Sequence, residues 1–344
     1  MQNNKRLNLN IQGMRGLCAL MVFGGHVTGA FNLPWIQNPQ NPLRMFLDGH
    51  AAVIFFFFLS GYFYYTDACI SIKKYIKLIV KRIVHLIPPY WISIMMGTIL
   101  CNYFLGHSIE AGEYASNWMK GFWQEPVTIG RFLNEAKVVL RNAPASTFIN
   151  PPSWYLSSDF KAMVIIPLVI LLLNKTKWFF VPVFVVAIFA FSSTSWFLAI
   201  FLMGAILHKY QHLLFALYDR KKWLQIIVVI VGFIFWQAQT LIYNPDYHIP
   251  REMCIMEMLE AIGVFLLLSV ILKMSVLPVL TNRFLLFMGQ ISYEFYIIHF
   301  MFLLGLLPFI SNVWVCIPIC FGTSVLVAIV MNKGGRWFSK RVNV

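Results

Sequence analysis

Apolar runs long enough to cross a bilayer recur along the whole chain, separated by short breaks rich in Lys and Arg. A hydrocarbon core of about 30 Å is spanned by about 20 apolar residues in a helix. The runs are continuous, whereas the strands of a membrane β-barrel would alternate apolar and polar positions over about ten residues. The pattern therefore predicts helices, at residues 11–31, 49–66, 86–106, 153–173, 178–192, 194–208, 223–242, 254–272, 284–307 and 312–331. The fifth and sixth are short for full spans. One inter-helix segment, 107–152, is long and carries Glu110, Glu113, Glu125, Glu135, Trp118, Trp123 and several prolines. A loop of that length is commonly functional. The expected architecture is all-α and polytopic, with about ten transmembrane helices. Residues 1–344 form a single transmembrane domain in this reading, with 107–152 as its extracytoplasmic loop. No internal repeat or low-complexity tract is evident.

Composition agrees: 59% of the residues are hydrophobic and 12% charged, where soluble domains carry about a quarter charged residues. The first apolar run is long enough to span, so it reads as a retained helix rather than a cleaved signal. The net charge of +14 could suggest a nucleic-acid partner, but the positive residues sit in inter-helix breaks and in the tail, which is a topology signal. With the N-terminus in the cytoplasm, 20 of the 27 Lys and Arg fall inside and 6 outside, with Lys161 in a span. That split places both termini in the cytoplasm, in a multi-pass protein of the plasma membrane. The six Cys have no spacing with His that would suit a metal, and they read as packing residues.

Ionisable residues inside a span are costly and mark function by default. Here they are Arg15, His26, Asp159, Lys161, Glu257, Glu260, Glu294 and His299. Arg15 and His26 are eleven residues apart, which is about 20° past three full turns, so they share a helix face about 16 Å apart along the axis. A surface Arg can hold a phosphate and a deep imidazole can act as a base; a phosphopantetheine arm is of similar length. The alternatives are a topology anchor for Arg15 and a packing role for His26. By residue count His26 and His299 each lie about 22 Å from the inner helix end, and Asp159 about 9 Å from the outer one. With Glu260 they fall in one layer of the outer third, where an Asp would orient a His ring. Glu257 and Glu260 share a face and would share a proton or find a cation such as Lys161.

Five strings resemble, in order, the motifs of membrane acyltransferase family 3, stand-alone type. They are GMRGLCALMVFGGH (13–26), IFFFFLSGY (54–62), KRIVHLIPPYW (81–91), SWYLSSDFK (153–161) and ISYEFYIIH (291–299). Together they span nearly the whole chain. Two positions depart from the family pattern: His85 stands where a second Arg is usual, and Asp159 where Glu is usual.

The resemblance implies transfer of an acyl group, acetyl in most members, from cytoplasmic acyl-CoA to a hydroxyl of an extracytoplasmic or lipid-linked glycan. His26, Asp159 and His299 are then the catalytic candidates, without a metal. Arg15, Lys81, Arg82, His85 and Ser60 are the candidates for binding acyl-CoA. Trp154, Tyr155, Glu257, Glu260 and Tyr293 are the candidates for the acceptor. Gly24, Gly25, Ser60 and Gly61 would let helices pack closely or leave room for the pantetheine arm. Trp118 and Trp123 could stack on a sugar or belong to the interfacial aromatic belt. The expected partners are acyl-CoA, the glycan and membrane lipids, with no nucleic acid. A rival reading is a non-enzymatic transporter or flippase for a lipid-linked glycan.

Overall fold

The computed structural model describes residues 2–33, 38, 41–68, 72–104, 114–137, 148–175, 196–242 and 250–341. Among these residues the regular structure is helical: α1 (Gln2–Ala30), α2 (Gly49–Ala68), α3 (Ile72–Phe104), α4 (Asn117–Lys120), α5 (Ile129–Ala136), α6 (Trp154–Lys175), α7 (Trp196–Arg220), α8 (Lys222–Trp236), α9 (Ala238–Leu241), α10 (Pro250–Lys273), α11 (Arg283–Gln290), α12 (Ser292–Leu306) and α13 (Val313–Arg341). Six of them are long and apolar enough to cross a membrane, and the bent pair α11–α12 makes up to seven. The shorter α8 is also apolar. The protein is an all-α polytopic membrane protein. A helix stands at nine of the ten expected spans, and the fifth, 178–192, lies outside the described residues.

Several boundaries differ from the hydropathy pattern. The basic stretch before residue 86 is helical, because α3 starts at Ile72 and runs on through Pro88 and Pro89. Lys73, Lys77 and Lys81 repeat every four residues along it and share one exposed face,. The helix expected at 194–208 continues to Arg220. The span 223–242 is broken at Gln237. The span 284–307 is two helices meeting at 79°, with Ile291 as the N-cap of the second and the Ser292 hydroxyl donating to the Gly289 carbonyl (3.1 Å). Hydropathy averages over such a break, because the backbone groups that a bend frees need not change side-chain polarity.

The expected single domain packs as two compact units, each made of three chain segments. The first contains Met1–Cys18, His50–Ile79 and Asp159–Leu286; the second contains Ala19–Gly49, Val80–Ser158 and Phe287–Val344. In the first unit, glycines set the helix spacing. A Cβ at Gly61 would overlap the Phe201 carbonyl, and one at Gly204 the Phe58 carbonyl, so α2 and α7 cross backbone to backbone. Small residues serve this purpose in membranes, where dispersion rather than the hydrophobic effect drives helix association. The start of α1 is held by Asn10, fully buried, which donates to Ser275 O (2.6 Å) and accepts from Leu277 N (3.0 Å).

In the second unit, α12 is buried over most of its length, from Ser292 to Gly305. A helix apolar all round belongs in a core. Phe23 of α1, Phe295 of α12 and Phe321 of α13 form an aromatic triangle with centroids 5.5 to 5.7 Å apart.

Candidate active site

His26 lies four residues from the end of α1 and His299 midway along α12. Their rings meet: His26 Nδ1 is 2.7 Å from His299 Nε2, with centroids 4.9 Å apart and planes 21° from parallel. The position of His26 depends on its neighbours. A Cβ on Gly25 would stand 2.9 Å from both Gly49 N and Leu47 O, and one on Gly24 would strike the Leu47 side chain. The Gly-Gly pair therefore lets residues 47–49 lie flat against α1, rather than opening a channel there. Phe300 sets its edge to the His26 ring at 4.8 Å.

The polarity of the contact follows from its far end. His299 Nδ1 is 3.0 Å from the Phe295 carbonyl, which can only accept, so Nδ1 carries the proton. In a neutral imidazole the other nitrogen is then an acceptor. His299 Nε2 therefore receives the His26 Nδ1–H, and His26 Nε2 is left with an in-plane lone pair. A proton taken up there can be shared along the same line by passing the Nδ1 proton to His299.

A buried polar network holds α12 in register. Asn150, fully buried, donates to Ser93 Oγ (2.8 Å) and to the Ile297 carbonyl (2.7 Å), two residues before His299. Glu135 of α5 is also fully buried; its Oε1 accepts from Ser153 Oγ (3.2 Å), and its carbonyl accepts from Tyr90 Oη (2.5 Å). The described parts of the long loop are thus folded into the second unit. Neither Asn150 nor its partners stands out in sequence, since a lone Asn in a proline-rich loop carries no signature.

Other sequence candidates are found with different partners. Of the two groups expected to orient His26, Asp159 or His299, it is His299 that meets its ring, while Asp159 Oδ1 accepts from Tyr64 Oη (2.7 Å) in the first unit. Glu257 pairs with His50 at 2.8 Å. Glu260, one turn on, is fully buried, and Ser60 is buried on α2 of the same unit. His50 was not legible as a partner because it sits at the edge of an apolar run, remote in sequence from Glu257.

In the second unit, exposed Lys81, half-buried Arg82 and exposed His85 follow one another along α3. The His85 ring lies 5.9 Å from that of Tyr293, whose hydroxyl donates to Leu86 O (2.7 Å). Glu294 accepts from Asn332 Nδ2 (2.9 Å). Trp154 and Tyr155 are half-buried, and Tyr155 packs on Tyr296 at 5.5 Å. Arg15 is half-buried on α1, eleven residues before His26 on one unbroken helix. Trp123 is buried, with its indole N–H on the Ile149 carbonyl (2.9 Å) and φ of 53°. Trp118 is 47% exposed. Among the described residues the five Cys are free and buried, and no group of His, Cys, Asp and Glu could hold a metal ion; Cys69 lies outside them.

Residues 8–333 match acyltransferase family 3, described as an acyltransferase domain. The chain belongs to that family and is a membrane acyltransferase. No curated protein and no solved structure matches it. The match gives no support to the transporter or flippase reading.

Proposed function

We propose that the protein moves an acyl group, acetyl in the first instance, from acyl-CoA to a hydroxyl of an extracytoplasmic or lipid-linked glycan. The observation that carries this reading is the polarity of the His26–His299 pair, which leaves His26 Nε2 able to accept a proton. As the acceptor oxygen attacks the thioester carbonyl carbon, its proton passes to His26 Nε2. The tetrahedral intermediate collapses with cleavage of the C–S bond, and the CoA thiolate takes the proton back. The products are the ester and free CoA, and His26 returns to its starting form. General base catalysis of this kind contributes about 10² to 10⁴ in rate. His299 positions the His26 ring and shares the transient charge.

Arg15, Lys81, Arg82 and His85 are the groups assigned to the CoA phosphates, and Ser60 to the donor arm. The charge split supports a plasma-membrane protein with both termini, and so the donor side, in the cytoplasm.

The test is CoA release by the purified protein in lipid nanodiscs, with acetyl-CoA and a glycan acceptor. Wild type should release CoA in an acceptor-dependent way, and His26→Gln should lose that turnover by about 10² or more. Near-normal turnover by well-folded His26→Gln refutes the assignment. Acceptor-dependent turnover with succinyl-CoA but not with acetyl-CoA would replace only the acyl group.

A further inference from the structure

The rings around His26 differ in one respect. Phe300 is fully buried and Phe122 is 3% exposed, but Trp118 is 47% exposed. Its indole lies nearly parallel to the His26 imidazole, 20° between planes and 6.3 Å between centroids. Phe300 and Phe122 brace it edge-on, at 5.6 and 5.1 Å. It lies over Gly29, where a Cβ would come within 3.1 Å of the indole. The short stretch that carries it is tied to the end of α1 by two backbone hydrogen bonds, Asn32 N to Tyr114 O and Ser116 N to Ala30 O, both 2.9 Å. At its other end, Trp123 holds a backbone conformation that is rare for a bulky residue,. Strain of this kind persists only where the surroundings over-determine it. A half-exposed indole is thus fixed beside the proton acceptor.

We propose that Trp118 is the platform for the acceptor, and that the acceptor ring is a pyranose. The inference rests on the acyl-transfer reading and deepens it. An aromatic face carries negative potential and attracts C–H groups, and a pyranose presents flat C–H faces with its hydroxyls at the edge. A sugar stacked on Trp118 lies parallel to the indole, and so close to parallel with the imidazole. The lone pair of His26 Nε2 lies in the imidazole plane. A sugar seated on the indole beside the imidazole would bring an edge hydroxyl within reach of that lone pair, the approach a strong hydrogen bond requires. A linear polyol offers no flat face and gains nothing from the platform. Trp123 cannot serve in this way, because its ring is buried and its N–H is engaged.

The experiment compares a methyl pyranoside with a linear alditol as acceptor for wild type, Trp118→Leu, Trp118→Phe, Gly29→Ala and His26→Gln. Trp118→Leu should raise the pyranoside KM by about three- to tenfold, the range of an aromatic contact, and leave the acetyl-CoA KM and the alditol KM unchanged. Trp118→Phe keeps an aromatic face and should fall in between. Gly29→Ala pushes the indole without removing it and should also raise the pyranoside KM. Should the Leu variant fail to fold, the Phe and Ala variants decide by the same comparison. An unchanged pyranoside KM in the folded variants overturns the platform, as does equal use of both acceptors by wild type. Those outcomes leave the base intact, since His26→Gln is expected to lose turnover on either acceptor. Retained turnover in His26→Gln overturns the acyl-transfer reading instead.

Discussion

Each unit pairs a half-buried histidine with a buried partner, and the two pairs differ chemically. In the first unit His50 Nε2 faces the Glu257 carboxylate at 2.8 Å. A carboxylate only accepts, so that nitrogen lies in an ion-pair contact rather than open to a substrate. In the second unit His26 gives its Nδ1 proton to His299 and keeps Nε2 as an acceptor. Among the described residues no carboxylate is paired with His26. A His–carboxylate contact, the arrangement that catalytic triads make familiar, is here a link between α2 and α10. The arrangement suited to taking a proton consists of two imidazoles and a backbone carbonyl. The type of residue beside a histidine thus says less than which of its nitrogens is left over.

This contrast can be broken by four measurements, given from the largest expected effect to the smallest. His26→Gln should abolish acceptor-dependent CoA release, a loss of about 10² or more, with the fold retained. His50→Ala should instead act on stability: removing one side of the contact leaves the buried Glu257 carboxylate less well paired, a loss of about 1–3 kcal/mol, read as a lowered unfolding temperature with kcat close to wild type. A collapse of kcat in folded His50→Ala would remove the distinction between the pairs.

Arg15→Ala and Arg82→Ala should each raise the KM for acetyl-CoA about tenfold or more, the value of a lost charge-assisted bond, and leave the acceptor KM alone. A donor KM unchanged in both would withdraw the phosphate assignment. His299→Gln keeps an acceptor for the His26 Nδ1–H but cannot pass a proton on, so it should cost less than His26→Gln, about tenfold. A loss as large as that of His26→Gln would make His299 an equal partner in proton transfer.

The helices were legible because bilayer thickness imposes a length on apolar runs, and α2 and α6 start within a residue of the predicted positions. The pairing of His26 with His299 was partly legible too, though for a reason that does not hold in full. A straight 284–307 span would set His299 about 22 Å along its helix, but the chain bends by 79° at Ile291. His299 lies only seven residues beyond Ser292, so the two rings share a level without the straight fifteen-residue climb that the count assumed. The partners of Asp159 and Glu257 were not legible, because Tyr64 and His50 sit in apolar surroundings where a hydroxyl or an imidazole leaves no periodic trace. The role of the Gly24–Gly25 pair was half legible: small residues signal close approach, but not to which backbone.

The bridge between Phe31 and Ala115 has a consequence for how such an enzyme can diversify. The attachment of the 114–116 stretch to the end of α1 combines main-chain bonds with the Ser116 hydroxyl, which donates to the Gly29 carbonyl (2.5 Å). Trp118 makes none of these bonds, so the ring that it sets beside His26 can be exchanged without loosening that anchorage. The proton acceptor lies on a different element and is untouched by such changes. On the proposal that Trp118 seats the acceptor, the molecule separates what is modified from how it is modified, so that a new acceptor could be acquired without rebuilding the chemistry.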